Sequence, residues 1–216
     1  TAPAAQQPEP EPTTTLPIFL TDAPTECQFT VNGEQFALNG FDKELTEVTG
    51  LNCQDASFND LEEIELLTGL KTLSLINAEL NQVTGISALT VLSELDLSTN
   101  NLHSLDDIPS LSELTTLSLH NNQIVDVSRL ITMGKLTTLT LSRNEIFAVD
   151  SLANLLNLIN LNLSDNKLDE GITSLAALTN LTELHLNNND DIHCSDIAQL
   201  KSALESTATS SVIIPP

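Results

Sequence analysis

The sequence predicts an α/β solenoid, a right-handed superhelix of coils that each place one short parallel strand on a concave face and return across the convex face through 3₁₀ or tight turns. Three observations carry this prediction. An apolar anchor recurs seven times, at Val48, Leu70, Leu92, Leu114, Leu136, Leu158 and Leu181, with a step of 22 residues that lengthens only at the last copy, to 23. Apolar residues follow each anchor at +3 and +5, as in Leu92-Leu95-Leu97 and Leu114-Leu117-Leu119. Asn then stands three residues further on in five copies: Asn100, Asn122, Asn144, Asn166 and Asn189. A fixed period of this length means stacked units, because one coil cannot bury its apolar side alone.

Residues 1–20 precede the pattern. Their opening tract, TAPAAQQPEPEPTTT, is rich in Pro, Thr, Glu and Gln, with no apolar periodicity, which predicts an extended, disordered tether. The chain begins at Thr1 rather than Met, and the expectation is an exported protein whose signal or lipid-anchoring segment has been removed upstream. Residues 21–47 read as an amino-terminal cap. Asn32-Gly33 between two alternating runs is a two-residue hairpin signal. Phe29 and Val31 lie 22 residues before Leu51 and Cys53, so the hairpin strand is expected to continue the stacking in register, and Asp42 to cap a helical turn.

Residues 48–191 hold the seven repeats. Alternation at +3 and +5 makes a strand with leucines inward. Asn at the strand exit can satisfy backbone groups that the sheet leaves open, and stacked copies extend this into a ladder. The return half spaces apolar residues by three (Leu102-Leu105-Ile108-Leu111, Ile124-Val127-Leu130-Met133), which suits 3₁₀ geometry, with Asp107, Asp126 and Asp150 placed to cap it. Ala56 and Ala78 replace Asn in the first two copies, and Gly171 is positioned to absorb the added residue of the last step. Residues 192–216 read as a carboxy-terminal cap. Asp196 and Gln199 have capping-box spacing, Ile197, Leu200 and Leu204 share a face, and Ser210-Ser211-Val212-Ile213-Ile214 would close as a strand.

Residues 92–114, 114–136 and 136–158 (LSELDLSTNNLHSLDDIPSLSEL, LTTLSLHNNQIVDVSRLITMGKL, LTTLTLSRNEIFAVDSLANLLNL) resemble the 22-residue subclass of leucine-rich repeats found in bacterial internalins and in a phosphatase regulatory subunit. The resemblance covers residues 48 to about 190. It implies the solenoid and a binding module, while the family spans adhesins, inhibitors, scaffolds and toxin modules.

Charge and composition exclude several functions. The chain carries 30 acidic against 7 basic residues, a formal charge of −23, so nucleic-acid binding is excluded and anionic membranes are disfavoured, while solubility as a monomer is favoured. No stretch is apolar over the eighteen or so residues that span a bilayer. Interface hot spots are enriched in Trp and Tyr. With neither present, a recognition surface here must bind by shape and polar groups.

Positions +2, +4 and +6 project from the concave face as a sheet of hydroxyls and amides with acids at two places. If this face is a groove, its centre falls at Glu94, Asp96, Ser118, His120 and Thr140, with Asn162, Glu183 and His185 further along. The bland reading is a solvated sheet face where Thr and Ser satisfy strand preference. His120 and His185 lie three coils apart, about 14 Å at strand spacing, too far to share an ion. The acidic loops around Asp165 and Asp190 lack the order of a calcium loop, so no metal and no cofactor is expected. Ser118 and His120 have no evident carboxylate to orient the imidazole, and no hydrolase or phosphate-loop motif occurs; catalysis is not expected.

Cys27, Cys53 and Cys194 are an odd set. Cys27 and Cys53 are one coil apart, and a bridge would suit an exported protein. Against it, Cys53 occupies a core site where a free thiol serves as a small hydrophobe, and in-register stacking sets Val31 beside it. Bridge and free thiols both stand at this point. Cys194 is expected to be unpaired and structural. The reading is a non-enzymatic module of an exported bacterial protein (cell surface, periplasmic or secreted) that recognises a protein or surface ligand. A structural spacer without a specific ligand, and an intracellular scaffold of the phosphatase-regulator type, are the alternatives.

Overall fold

The computed structural model describes residues 27–37, 43–58, 61 and 63–207. Residues 1–20, Asp42 and Ser210–Ile214, on which the tether, one cap and the closing strand were expected, lie outside the described residues.

Among the described residues, a nine-stranded sheet runs from the hairpin through the last coil. Two strands, β1 (Gln28–Val31) and β2 (Glu34–Ala37), form the hairpin. Seven coil strands follow: β3 (Val48–Asn52), β4 (Thr72–Ser74), β5 (Glu94–Asp96), β6 (Thr116–Ser118), β7 (Thr138–Thr140), β8 (Asn160–Asn162) and β9 (Glu183–His185). Their order is β2-β1-β3-β4-β5-β6-β7-β8-β9, with β3 to β9 all parallel. The register repeats at 22 residues (Leu73 beside Leu95 beside Leu117) and absorbs the extra residue between Leu161 and Leu184. Every coil therefore presents the same atoms to its neighbours, and the leucines at +0, +3 and +5 from Leu70 to Leu184 are at most 1% exposed.

The returns are 3₁₀ turns at Ile64–Leu66, Ile86–Ala88, Ser128–Thr132, Asp150–Asn154 and Ile172–Ala177. Apolar residues spaced by three suit the three residues per turn of a 3₁₀ helix, and about eleven residues that must also carry the chain back to the next strand favour such short turns. None of the expected Asp caps is the N-cap residue itself: Asp126 stands one residue before the N-cap Val127, from where its carboxylate accepts the Ser128 backbone N–H at 2.7 Å. Asp150 is instead the first residue of its turn, and the coil of Asp107 returns without a 3₁₀ helix. Gly171 does accommodate the longer coil. It lies at φ +80°, and a Cβ there would approach Asp150 Oδ2 to 2.5 Å.

The asparagine ladder holds the strand exits. Asn122 Nδ2 donates to Leu119 O of its own coil and Leu97 O of the coil before, while its Oδ1 accepts the Leu102 N–H. Asn144, Asn166 and Asn189 repeat the arrangement one coil further each time. At the ladder's start Asn100 Oδ1 takes two backbone donors, Ala78 N and Leu80 N, both at 3.0 Å. Just before each ladder position the chain turns through left-handed backbone, at Asp55, Asn77, Thr99, Asn121, Arg143, Asp165 and Asn188. Asn and Asp tolerate that region and occupy five of these sites.

Two expectations at the ends are corrected. β1 pairs with β3 antiparallel, so Phe29 does lie opposite Leu51, but Val31 faces Val48 rather than Cys53. The hairpin turn, with Asn32 and Gly33 both at positive φ, sends β2 to the outer edge and leaves β1 reversed against the first coil. That reversal brings Cys27 against Cys53, Cα to Cα 4.2 Å, and the two form a disulfide. At the other end, α1 (Cys194–Thr207) starts two residues before Asp196, with His193 O accepting from Asp196 N and Ile197 N. Asp196 thus sits inside the first turn, where its charge favours the helix dipole, and does not cap it. Leu200 and Leu204 are buried and Ile197 half-buried, as their shared face predicts, and α1 packs on the last return. Cys194 is free but exposed at the helix start, so it is no structural core residue.

Candidate functional site

Alternation in three-residue strands fixes what the concave face shows. Leu95 points inward, so Glu94 and Asp96 point outward, and the same holds for Thr138 and Thr140 around Leu139 and for Glu183 and His185 around Leu184. Parallel register then aligns Thr72, Glu94, Thr116, Thr138, Asn160 and Glu183 in one row and Ser74, Asp96, Ser118, Thr140, Asn162 and His185 in the next.

The third row, at +6, behaves differently from expectation. Ser98, Ser142 and Ser164 are buried at 4 to 8% exposure, because they fold back onto their neighbours instead of projecting. Ser98 gives both its backbone N–H (2.9 Å) and its hydroxyl (2.5 Å) to Asp96 Oδ1. Ser164 treats Asn162 Oδ1 the same way, at 3.0 and 2.7 Å. Ser98 and Ser118 hydroxyls lie 2.7 Å apart, which continues the chain from Asp96 to the next coil.

The eight predicted residues do not form one site. Glu94, Asp96 and Ser118 line a shallow depression of about 370 Å³ over β3 to β6, together with Thr72 and Ser74. Thr140, Asn162, Glu183 and His185 line a second, of about 280 Å³, over β7 to β9. His120 belongs to neither, and its Nδ1 pairs at 2.8 Å with Ser142 Oγ of the following coil instead of with Ser118. His185 Nε2 meets Glu183 Oε1 at 2.6 Å, so among the described residues the imidazole with a carboxylate orienter is His185, on a half-exposed strand. Among the described residues, no group of three or more His, Cys, Asp or Glu converges as for a metal ion.

Sequence reasoning missed two contributors. Thr30 and Gln35 of the hairpin wall the first depression, which could not be foreseen without the reversed pairing of β1. A third groove of about 500 Å³ runs along the edge where the strands start, past Thr115, Thr137, Ile159 and Thr182. Hydroxyls at +1 were its signal: Thr115 and Thr137 each donate to the carbonyl one coil back (Ser93 O and Thr115 O).

The same coil recurs in known structures. An internalin C2 of Listeria monocytogenes is 27% identical and superposes with a TM-score of 0.64 over 79% of this chain and 82% of that one. The chain has a leucine-rich repeat solenoid similar to those of bacterial internalins. A second Listeria monocytogenes internalin, InlF, is 29% identical (TM-score 0.61), and a leucine-rich repeat protein of Leptospira interrogans 26% (TM-score 0.63). In both cases 79% of this chain is covered but only 49% of the other, so it spans about half their length. No protein-family model matches the internalin-like chain. No curated protein matches it either. The fold expectation stands as written, and with it a protein-interaction module in general.

Proposed function

We propose that this chain is a non-enzymatic recognition module of an exported bacterial protein, which binds a protein or other surface ligand through its concave face and works as a monomer, with residues 1–20 as its tether. The observation that carries the reading is the outward surface of β4 to β9. Two aligned rows of polar side chains stand there over leucines at most 1% exposed, and the rows hold two depressions rather than a uniform plane. A rigid sheet of this kind presents side chains whose positions are fixed by the ladder, so little ordering is needed on binding. The Cys27–Cys53 disulfide supports export, since such bonds persist in oxidising compartments.

Replacement of Glu94, Asp96, His120 and Thr140 together by Ala tests the face. Capture from host-cell or envelope extracts is expected to disappear for this variant and to survive a convex-face variant (Glu65→Ala with Asp107→Ala). Unchanged capture, with the circular dichroism of the fold intact, rejects the concave face as the site. Thiol counting on unreduced protein from its native source tests export: one free thiol per chain is expected, and three would reject it.

A further inference from the structure

We infer that the flank of the solenoid just beyond the ends of β6 and β7 is a second docking surface, for an extended segment of a partner protein that carries an apolar residue and an acidic one. It stands apart from the concave face and does not depend on it. Burial alternates along this flank: Asn144 and Ile146 are buried, while Arg143, Glu145 and Phe147 are exposed. Glu145 N donates to Ile124 O at 2.9 Å and Lys167 N to Ile146 O at 3.0 Å, so the outward residues of neighbouring coils stand side by side.

Two independent observations meet there. The first is apolar. Phe147 is 47% exposed, and Val125, at the same position one coil back, is 40% exposed. The repeat does not require apolar residues at this position, because Asn81, His103 and Asp169 hold it in other coils and are exposed. Among the described phenylalanines, Phe29 and Phe58 are buried and Phe36 is half-buried, which leaves Phe147 as the aromatic open to a partner. Single exposed apolar residues are ordinary, but here an aromatic and a Val adjoin.

The second is a cation without a counter-ion. With 30 acids against 7 bases, a surface base should find an acid, and Arg129, Lys135, Lys167 and Lys201 all do. An unpaired acid means little in so acidic a chain; an unpaired Arg does not follow from the composition. Arg143 has no ion pair among the described residues, although Asp165 holds its position one coil along. Asp165 Oδ1 instead accepts from Asn188 Nδ2 at 2.7 Å. Aromatic and Arg side chains are the types enriched in interfaces, and the guanidinium fork matches a carboxylate. Arg143 and Phe147 lie at most about 13 Å apart along the coil, so an extended segment meets both with its acid and its apolar residue four positions apart.

The probe is a capped Ser-rich peptide with Leu and Glu four residues apart, made in both orders and also with Gln for Glu and with Ser for Leu. It is titrated against the isotope-labelled full chain at physiological salt and followed by amide shifts. The field of a chain of charge −23 repels the acidic peptide, so a preference for Glu over Gln cannot come from long-range attraction. Wild type is expected to prefer the Glu peptide, with shifts centred on Val125 and Phe147. Arg143→Gln is expected to weaken the Glu peptide about threefold and leave the Gln peptide unchanged. Phe147→Ser is expected to weaken both about fivefold. Lys71→Gln, which removes another exposed base, at the edge where the strands start, is expected to change binding less than about 1.5-fold. No preference for Glu in wild type overturns the inference. So does an equal loss in Lys71→Gln and Arg143→Gln, and so do shifts confined to the concave strands.

Discussion

Removing single rungs of the asparagine ladder should cost unequal amounts, and the inequality follows from counting which groups are left without partners. Asn100 and Asn122 are both buried, at 6% and 8% exposure, and both would be replaced by Ala. In Asn122→Ala, Leu97 O keeps its donor from Asn100 and Leu119 O keeps its donor from Asn144, so neither carbonyl is orphaned. Only the Leu102 N–H loses its partner. A buried donor left unsatisfied costs about 1–3 kcal/mol, so about 2 kcal/mol is expected. In Asn100→Ala both Ala78 N and Leu80 N are orphaned, and Leu75 O loses the amide as well. The same rule gives about 4–5 kcal/mol. The chain has no Trp or Tyr, so the assay is guanidinium denaturation followed by far-ultraviolet circular dichroism, with amide exchange at Leu80 and Leu102 as the local readout. Equal losses in the two variants, or a loss below about 1 kcal/mol in Asn100→Ala, would refute the rung-by-rung account.

Other perturbations follow from single positions. Thr99 is a β-branched residue at φ 58°, where a left-handed backbone is strained; Thr99→Asn should stabilise by about 1 kcal/mol and raise the melting temperature by about 2–4 °C in a differential scan. Gly171→Ala puts a Cβ 2.5 Å from Asp150 Oδ2 at φ +80°, and should destabilise by about 2–3 kcal/mol in a denaturant titration. Reducing the Cys27–Cys53 bond, which spans 26 residues, should cost about 3.5 kcal/mol by loop entropy, read as a lower melting temperature and as faster exchange at Phe29 before the central coils.

The residues explain how much could be read in advance. A 22-residue step with leucines at +0, +3 and +5 leaves one way to bury every apolar side chain, so the stacking, the strand faces, the ladder from Asn100 to Asn189 and the 3₁₀ returns were all visible in the spacing. Asp107 and Asp150 misled because a short polar residue near a turn is compatible with several turn positions. Ser142 and Ser164 misled for a related reason, since strand parity says which side a residue leaves on and not what its hydroxyl reaches. The candidate site suffered most. Parity assembled Glu94, Asp96, Ser118, His120, Thr140, Asn162, Glu183 and His185 on one face, and only the packed sheet separated them into two depressions with His120 in neither.

What the chain determined by itself is everything that repeats, because burial is decided by periodicity and periodicity is written in the order of residues. What only the tertiary structure decided is whatever happens once. The direction of β1 is the sharpest case: parallel and antiparallel pairing both set Phe29 against Leu51, and only the hairpin closing on the first coil chose the arrangement that joins Cys27 to Cys53. The lock of Ser98 on Asp96 and the meeting of Glu183 with His185 are of the same kind. They depend on side-chain torsions that a spacing rule does not specify, and those torsions differentiate the concave face.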